Sequence, residues 1–320
     1  MDKRECASVT VAACQYRLEF SGDWPAYAAK VSGLVAEAAA RGAHILIFPE
    51  YASLELASLC APTVYGNVHA FLPGIQPWLP GYLEMHSELA RRYHVYCVAG
   101  TFPVQLADGS YRNRAFFFRP DGSWDYQDKL IMTRFEAEEW HIHPGREAKV
   151  FDTHFGRVGI NICYDSEFPL IARAQNEAGA RLILTPSWTE TAAGYHRVEL
   201  GCRARALENQ CYVAMAACVG ESKWLDDCSM SVGAAGIFGP VDGDCPADGI
   251  LAQGVRNEPG WVYQTVDLAA IDTVRGEGQV ANYRDWSHQS GLQVRVVTEG
   301  NWFVPALVSA VTHRTHAMRE

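Results

Sequence analysis

Two hydrophobic periods alternate along most of the chain. Short apolar runs over residues 8–16, 44–48, 94–100, 157–162, 181–185 and 211–218 predict buried strands. Between them, residues 24–41, 81–93, 167–179 and 195–209 have helical spacing. In the first of these, Trp24, Tyr27, Val31, Leu34, Val35 and Ala38 share one face. Tyr111 to Arg119 and Trp124 to Lys129 flank an Asp121-Gly122 turn and predict a hairpin. Residues 229–238 and 260–267 read as the last strands. Two stretches, 51–80 and 131–147, show neither period. Both are expected to be long loops, the first with a functional role or as a local insertion. Strands alternating with helices specify an α/β fold, and the hairpin excludes a purely parallel sheet.

No repeat, low-complexity tract or linker interrupts residues 1–270, which are expected to form one domain. Residues 271–320 read as an extension. Its Tyr283, Trp286, Trp302 and Phe303 are too many large aromatics for a disordered tail, so packing at a subunit interface is expected. The chain has 320 residues, 48% of them apolar, enough to bury a substantial core. A net charge of −10 argues against nucleic-acid binding. The ten cysteines include no Cys-x-x-Cys pair, and several lie in apolar runs. That suits buried free thiols in a reducing cytoplasm. No signal-like apolar core opens the sequence, and no run approaches the ~18 apolar residues of a membrane span. His141-x-His143 has no identified third ligand, so neither a metal nor another cofactor is expected.

The chemistry gathers at strand ends. Cys163 closes the apolar run Val158 to Ile162, and a helix start follows, with Ser166 as expected N-cap and Pro169 in the first turn. Free backbone N–H groups at such a junction are expected to lower the thiol pKa and to stabilise an oxyanion. Glu50 ends the run His44 to Pro49, and Lys129 ends the alternating stretch Ser123 to Asp128. A thiol, a carboxylate and an ammonium thus each follow a predicted strand, where layered α/β folds bind ligands. Asp165 is expected to accept backbone N–H bonds beside the nucleophile.

Three segments carry a resemblance: Ile47-Phe48-Pro49-Glu50, Gln127-Asp128-Lys129, and Gly159 to Pro169 with its Cys163-Tyr164-Asp165 core. Their order and separations resemble the nitrilase superfamily of carbon–nitrogen hydrolases over roughly residues 8–270, as does the stretch Arg203 to Gln210. Asp128 and Glu167 stand where the family often has Arg, and Ile131 where it often has His. The resemblance implies a four-layer α-β-β-α sandwich, and subunits that pair as a homodimer or a larger even-numbered oligomer. It implies a catalytic set of Glu50 as base, Lys129 as the oxyanion's positive partner and Cys163 as nucleophile, helped by the Tyr164 backbone N–H. A second glutamate is expected at Glu138, by its spacing from Pro144-Gly145, with Glu136 and Glu139 as alternatives.

Trp188 is expected either in the acyl pocket or in the core, and Tyr195 and His196 are further substrate-binding candidates. Arg197 reads either as a clamp for a substrate carboxylate or as a helix-surface charge paired with a nearby Glu. The implied reaction is hydrolysis of a small carboxamide to acid and ammonia through a thioester. Tyr164-Asp165 is similar to the amidase branches rather than to the Trp-Glu common in nitrilases. The alternatives are a nitrile or N-carbamoyl amide hydrolase, an acyltransferase, and a binding protein that retains the fold.

Overall fold

The structure, a computed structural model, describes residues 8–225 and 229–298. The chain opens with β1 (Val9–Tyr16), α1 (Trp24–Ala40) and β2 (Ile45–Phe48). Next come α2 (Pro62–Tyr65), α3 (Val68–Ile75), α4 (Leu79–Tyr93) and β3 (Tyr96–Gln105). The hairpin β4 (Tyr111–Phe118) and β5 (Trp124–Asp128) leads to a short α5 (Arg134–Glu138). Then follow β6 (Val150–Thr153), β7 (Gly156–Ile160), α6 (Pro169–Glu177), β8 (Ala180–Ser187), α7 (Ala192–Asn209) and β9 (Tyr212–Cys218). The remaining strands are β10 (Gly220–Glu221), β11 (Met230–Ser231), β12 (Gly236–Phe238), β13 (Ile250–Gln253) and β14 (Gly260–Val266). Two helices, α8 (Ala270–Glu277) and α9 (Asn282–Asp285), close this unit.

One mixed sheet runs β5-β4-β3-β2-β1-β9-β8-β7-β6, and its two halves curl onto each other. Alternate residues of each strand explain the layers. Val11, Ala13, Ile45 and Ile47 meet Val158, Ile160, Leu182 and Leu184 in a core between the halves. The opposite-facing Ala12, Cys14, Leu46 and Phe48 pack against Tyr27, Val31 and Val35 of α1 and Leu89 of α4. On the far side, α6 and α7 cover β7, β8 and β9. The result is the four-layer α-β-β-α arrangement. With both faces covered, the central strands need apolar residues at nearly every position, hence their continuous runs. No helix among the described residues is long and apolar enough to cross a membrane.

The stretch 51–80 is not irregular. It holds a 3-10 helix over Ala52–Leu59, then α2 and α3. Residues Ala52 to Ser58 are all buried, so no polar face marks a period. The 131–147 stretch contains α5, and β6 and β13 were also hidden from the pattern by their brevity. The extension expected from residue 271 begins later. Ile271 and Val274 are buried in the core, and the Arg275 guanidinium donates to the Asn209 and Gln210 carbonyls at 2.8 and 3.1 Å. Tyr283, expected to seek a partner subunit, has the guanidiniums of Arg173 and Arg275 of its own chain over its ring, at 4.5 and 3.8 Å from the centroid. The second unit, from Trp286, starts with a 3-10 turn over Trp286–Gln289. Trp302 and Phe303 lie outside the described residues.

Ending the chain after residue 270 should therefore unfold it more easily than ending it after residue 285. Exposing the sites of Ile271 and Val274 should cost about 3 kcal/mol or more at the usual worth of such side chains. Urea unfolding of the two truncated proteins checks this; equal midpoints would contradict it.

Candidate active site

Strand direction brings the site together. β2, β1, β9, β8 and β7 are parallel along the sheet. β3 is parallel to β2, and two antiparallel steps return β5 to the same direction. The C-terminal ends of β2, β5, β7 and β8 therefore open on one side, and Glu50, Lys129, Cys163 and Trp188 follow those ends. Gly100 allows the close packing beneath Glu50. Its φ is +82°, and any side chain there would collide with the Pro49 carbonyl oxygen.

Lys129 is the centre of the cluster. Its ammonium donates to Glu50 Oε1 at 2.8 Å and to Glu136 Oε2 at 2.5 Å. The third ammonium proton has no partner among the described residues, and Lys129 lines the adjoining cleft. Asn113 Nδ2 donates to both carboxylates, at 2.8 Å to Glu50 and 3.0 Å to Glu136. Tyr51 Oη donates to Glu136 Oε1 at 2.8 Å, and the Trp188 N–H to Glu50 Oε2 at 3.2 Å. All of these side chains except Trp188 are buried. Burial opposes the Lys129 charge, but Glu136 and Glu50 hold its pKa well above the ordinary range. Burial raises Glu50, against the pull of Lys129. Burial also opposes the Glu136 charge, but Lys129 and the Thr133 and Asn113 hydrogen bonds leave it lowered.

Cys163 begins a 3-10 turn over Cys163–Glu167, with a left-handed φ of 47°. Such a conformation costs of order 1–3 kcal/mol outside glycine and persists only when neighbours fix it. Asp165 supplies that hold. Its carboxylate accepts the N–H groups of Ile131 at 2.8 Å and of Leu130 and Ile162 at 3.1 Å, joining the Cys163 turn to the Lys129 loop. Ser166 is not a helix cap. Its hydroxyl donates to the Cys163 carbonyl at 2.6 Å, and α6 starts only at Pro169. The side chain missing at Gly201 would strike the Ser166 backbone, so α7 presses directly on this turn. The expected low thiol pKa is also corrected. Burial, then the Glu50 charge, raise Cys163 well above the ordinary range, and Lys129 only partly offsets them. The resting group is a thiol, whose Sγ lies 3.5 Å from the Trp188 carbonyl oxygen.

The second glutamate of the cluster is Glu136, not Glu138. Thr133 caps α5, and Glu136 closes a capping box by accepting the Thr133 N–H at 3.0 Å. Glu138 points to solvent and forms two hydrogen bonds with Arg134. Glu139 is exposed. The Thr133-x-x-Glu136 pattern was the signal that spacing from Pro144-Gly145 missed.

The cleft beside the cluster measures about 580 Å³, and Tyr164, Trp188 and Arg197 line it. Tyr195 does not: its hydroxyl meets Gln253 Nε2 at 2.9 Å on another face of α7. His196 pairs with Glu199 at 3.0 Å, also outside the cleft. Tyr51, Asn113 and Thr133 were missed, because none of them ends an apolar or alternating run and Asn113 sits between two arginines. Among the described residues no His, Cys, Asp and Glu group could hold a metal.

The profile described as carbon-nitrogen hydrolase matches residues 10–275. A probable hydrolase, YhcX of Bacillus subtilis (strain 168), is 31% identical over 277 residues, which cover 87% of this chain and 53% of the relative. The chain thus spans about half the length of that relative. Omega-amidase NIT2-B of Xenopus laevis is 31% identical over 204 residues, 61% of this chain and 69% of that one. Among solved structures, Saccharomyces cerevisiae Nit3, of branch 10 of the nitrilase superfamily, aligns with a TM-score of 0.65 at 22% identity, covering 86% of this chain and 96% of the other. That likeness supports the fold.

Removing the Glu50 charge should lower the Cys163 pKa. Thiolate absorbance against pH, taken as the difference between the protein and its Cys163→Ala form, should inflect above the ordinary ~8.5. In the Glu50→Gln background the inflection should move down. An inflection below the ordinary value in the parent would contradict the buried-thiol assignment.

Proposed function

The chain belongs to the carbon–nitrogen hydrolase family, and from that premise we propose that it is an enzyme that hydrolyses small carboxamides to carboxylic acids and ammonia. The observation that carries this reading is the meeting of Glu50, Lys129, Glu136 and Cys163 in one buried cluster at the base of a cleft. The omega-amidases among its relatives support an amide as the bond cleaved.

In the proposed reaction Cys163 Sγ attacks the amide carbon while its proton passes to Glu50. Burial makes that carboxylate a stronger base than an exposed one, which suits the task. The carbonyl oxygen gains negative charge, and the unused N–H of Lys129 and the Tyr164 backbone N–H stabilise it. Glu50 then gives its proton to the amide nitrogen, the C–N bond breaks, and ammonia leaves a thioester. A water molecule replaces the ammonia. Glu50 takes one of its protons, the hydroxide adds to the thioester carbon, and collapse releases the acid. The sulfur regains its proton from Glu50. Glu136 touches no reacting atom; it holds Lys129 in place and shares its charge. Trp188 forms one wall of the acyl pocket. The reaction uses no cofactor.

We also propose that the chain self-associates as a homodimer or a larger even-numbered oligomer, the closed arrangement most common for a single chain type. A monomeric mass by light scattering at micromolar concentration would rule this out.

Cys163→Ala should abolish ammonia release while leaving the circular dichroism spectrum unchanged; a tenth of the parent rate would remove Cys163 from the nucleophile role. Glu50→Gln and Lys129→Met should each lower kcat by about two to three orders of magnitude, comparable to losing an oxyanion donor. Glu136→Gln should also lose at least about tenfold, because a buried ammonium is left half-neutralised. Glu138→Gln should stay within about twofold, since it breaks only an exposed pair. The opposite ranking of these last two would return the role to Glu138.

A further inference from the structure

The cleft carries charged groups that the proton-transfer cluster does not use. Arg134, Glu167 and Arg197 all line it. Arg134 is already engaged by Glu138, at 3.0 and 3.1 Å. Glu167 is placed differently. It ends the 3-10 turn that Cys163 begins, so the two Cα atoms are separated by roughly 8 Å, at about 2 Å of rise per residue. Its side chain is 23% exposed, and its charge partner Arg197 stands 3.8 Å away with 63% of its own side chain in solvent. That separation is too long for a hydrogen bond. Among the described residues no donor reaches the Glu167 carboxylate within hydrogen-bond distance. Burial raises its carboxyl above the ordinary range, although Arg197 and Lys129 pull the other way. A half-buried carboxylate with no hydrogen-bond donor, on the wall of a cleft, is a ready partner for a bound cation.

We propose that the cleft selects amides bearing a primary ammonium, held by the Glu167 carboxylate while the amide carbon meets Cys163 Sγ. This rests on the amide-hydrolase reading above and names its substrate class. The separation along the turn suits an ammonium roughly three to five bonds from the amide carbon, at about 1.5 Å per bond. The competing occupant is a carboxylate clamped by Arg197. Two observations favour the cation. Glu167 is fixed on the rigid nucleophile turn, whereas Arg197 extends mostly into solvent, where ion pairs are weak. The adjacent cluster of two carboxylates, one ammonium and a neutral thiol is net negative, which attracts cations and repels anions. Binding displaces Arg197 outward, at little cost for so exposed a side chain.

Three amides of similar length test the proposal: γ-aminobutyramide, its neutral isostere pentanamide, and the anionic succinamate. The parent should show kcat/KM for γ-aminobutyramide at least about tenfold above pentanamide, mostly through KM, as expected for a hydrogen bond to a charged group. In Glu167→Gln that ratio should fall toward one, and in Glu167→Arg the preference should pass to succinamate. A parent ratio near one, a parent preference for succinamate, or a ratio that survives Glu167→Gln would overturn the proposal. Calorimetric binding to the Cys163→Ala protein provides a test that needs no turnover. There γ-aminobutyramide should bind at least about tenfold tighter than pentanamide, and adding Glu167→Gln should erase the difference. Equal binding of the two amides would overturn the proposal whatever the turnover results. Hydrolysis of all three amides without charge preference would leave the amidase reading standing and remove this one. Selective binding of the cation with no amide turned over would do the reverse.

Discussion

A single buried ammonium sets the terms for this site. Moving an ammonium out of water costs several kcal/mol even after relaxation, so Lys129 can sit at the base of the cleft only with matched countercharge. Glu50 and Glu136 supply it, from chain positions 79 and 7 residues away. Each carboxylate then needs donors for its remaining lone pairs. Asn113, Tyr51, Thr133 and the Trp188 N–H meet that demand. The parallel strand ends, the hairpin that carries Lys129 and the capping box of α5 all deliver members of one hydrogen-bonded group. Removing either carboxylate leaves part of a buried charge unmatched, a loss of about 3–5 kcal/mol in comparable pairs.

The same accounting favours a protonated Cys163. With Cys163 neutral, the two carboxylates and one ammonium sum to one negative charge. Ionising the thiol by losing its proton to water would add a second negative charge in a buried place, which burial and Glu50 both oppose. Passing the proton to Glu50 adds none: one anion is made as another is neutralised. In the proposed mechanism the thiolate therefore forms only as it attacks, and the buried net charge stays constant through that step. A free thiolate stabilised by helix N–H groups, as the strand-to-helix junction suggested, is unnecessary here. The junction instead contributes geometry, with Cys163 in a left-handed turn clamped by Asp165.

What the sequence made legible follows from what leaves a period. Glu50, Lys129 and Cys163 each end an apolar or alternating run, so strand ends pointed to all three, and the α/β alternation pointed to the layers. Glu136 was hidden by an assumption about backbone. In an extended loop residues 136 and 138 would share a face; in a helix, at about 100° per residue, they fall on nearly opposite faces. Thr133 starts a helix, so Glu136 turns inward and Glu138 outward. The same rule separates Arg197, which faces the cleft, from Tyr195 and His196, which do not. The 3-10 segment after Glu50 was illegible for a different reason: burial on every side removes the polar face that periodicity detects.

In the proposed site, recognition and chemistry are mechanically joined by the Cys163 turn. Glu167 is four residues from Cys163 on the same short 3-10 element, and that element is held by Asp165, by the Ser166 hydroxyl and by the close approach of α7. A group anchored at Glu167 is therefore positioned against Cys163 by a nearly rigid spacer rather than by two independent loops. Binding energy gained at such a distance limits the freedom of the amide carbon near the thiol, which helps the attack only if the substrate's own length matches the spacer. On this argument a change of one residue on the turn alters substrate charge preference while every hydrogen bond of the buried cluster is kept, because Glu167 reaches Lys129 only through its charge and shares no hydrogen bond with Glu50, Lys129 or Glu136.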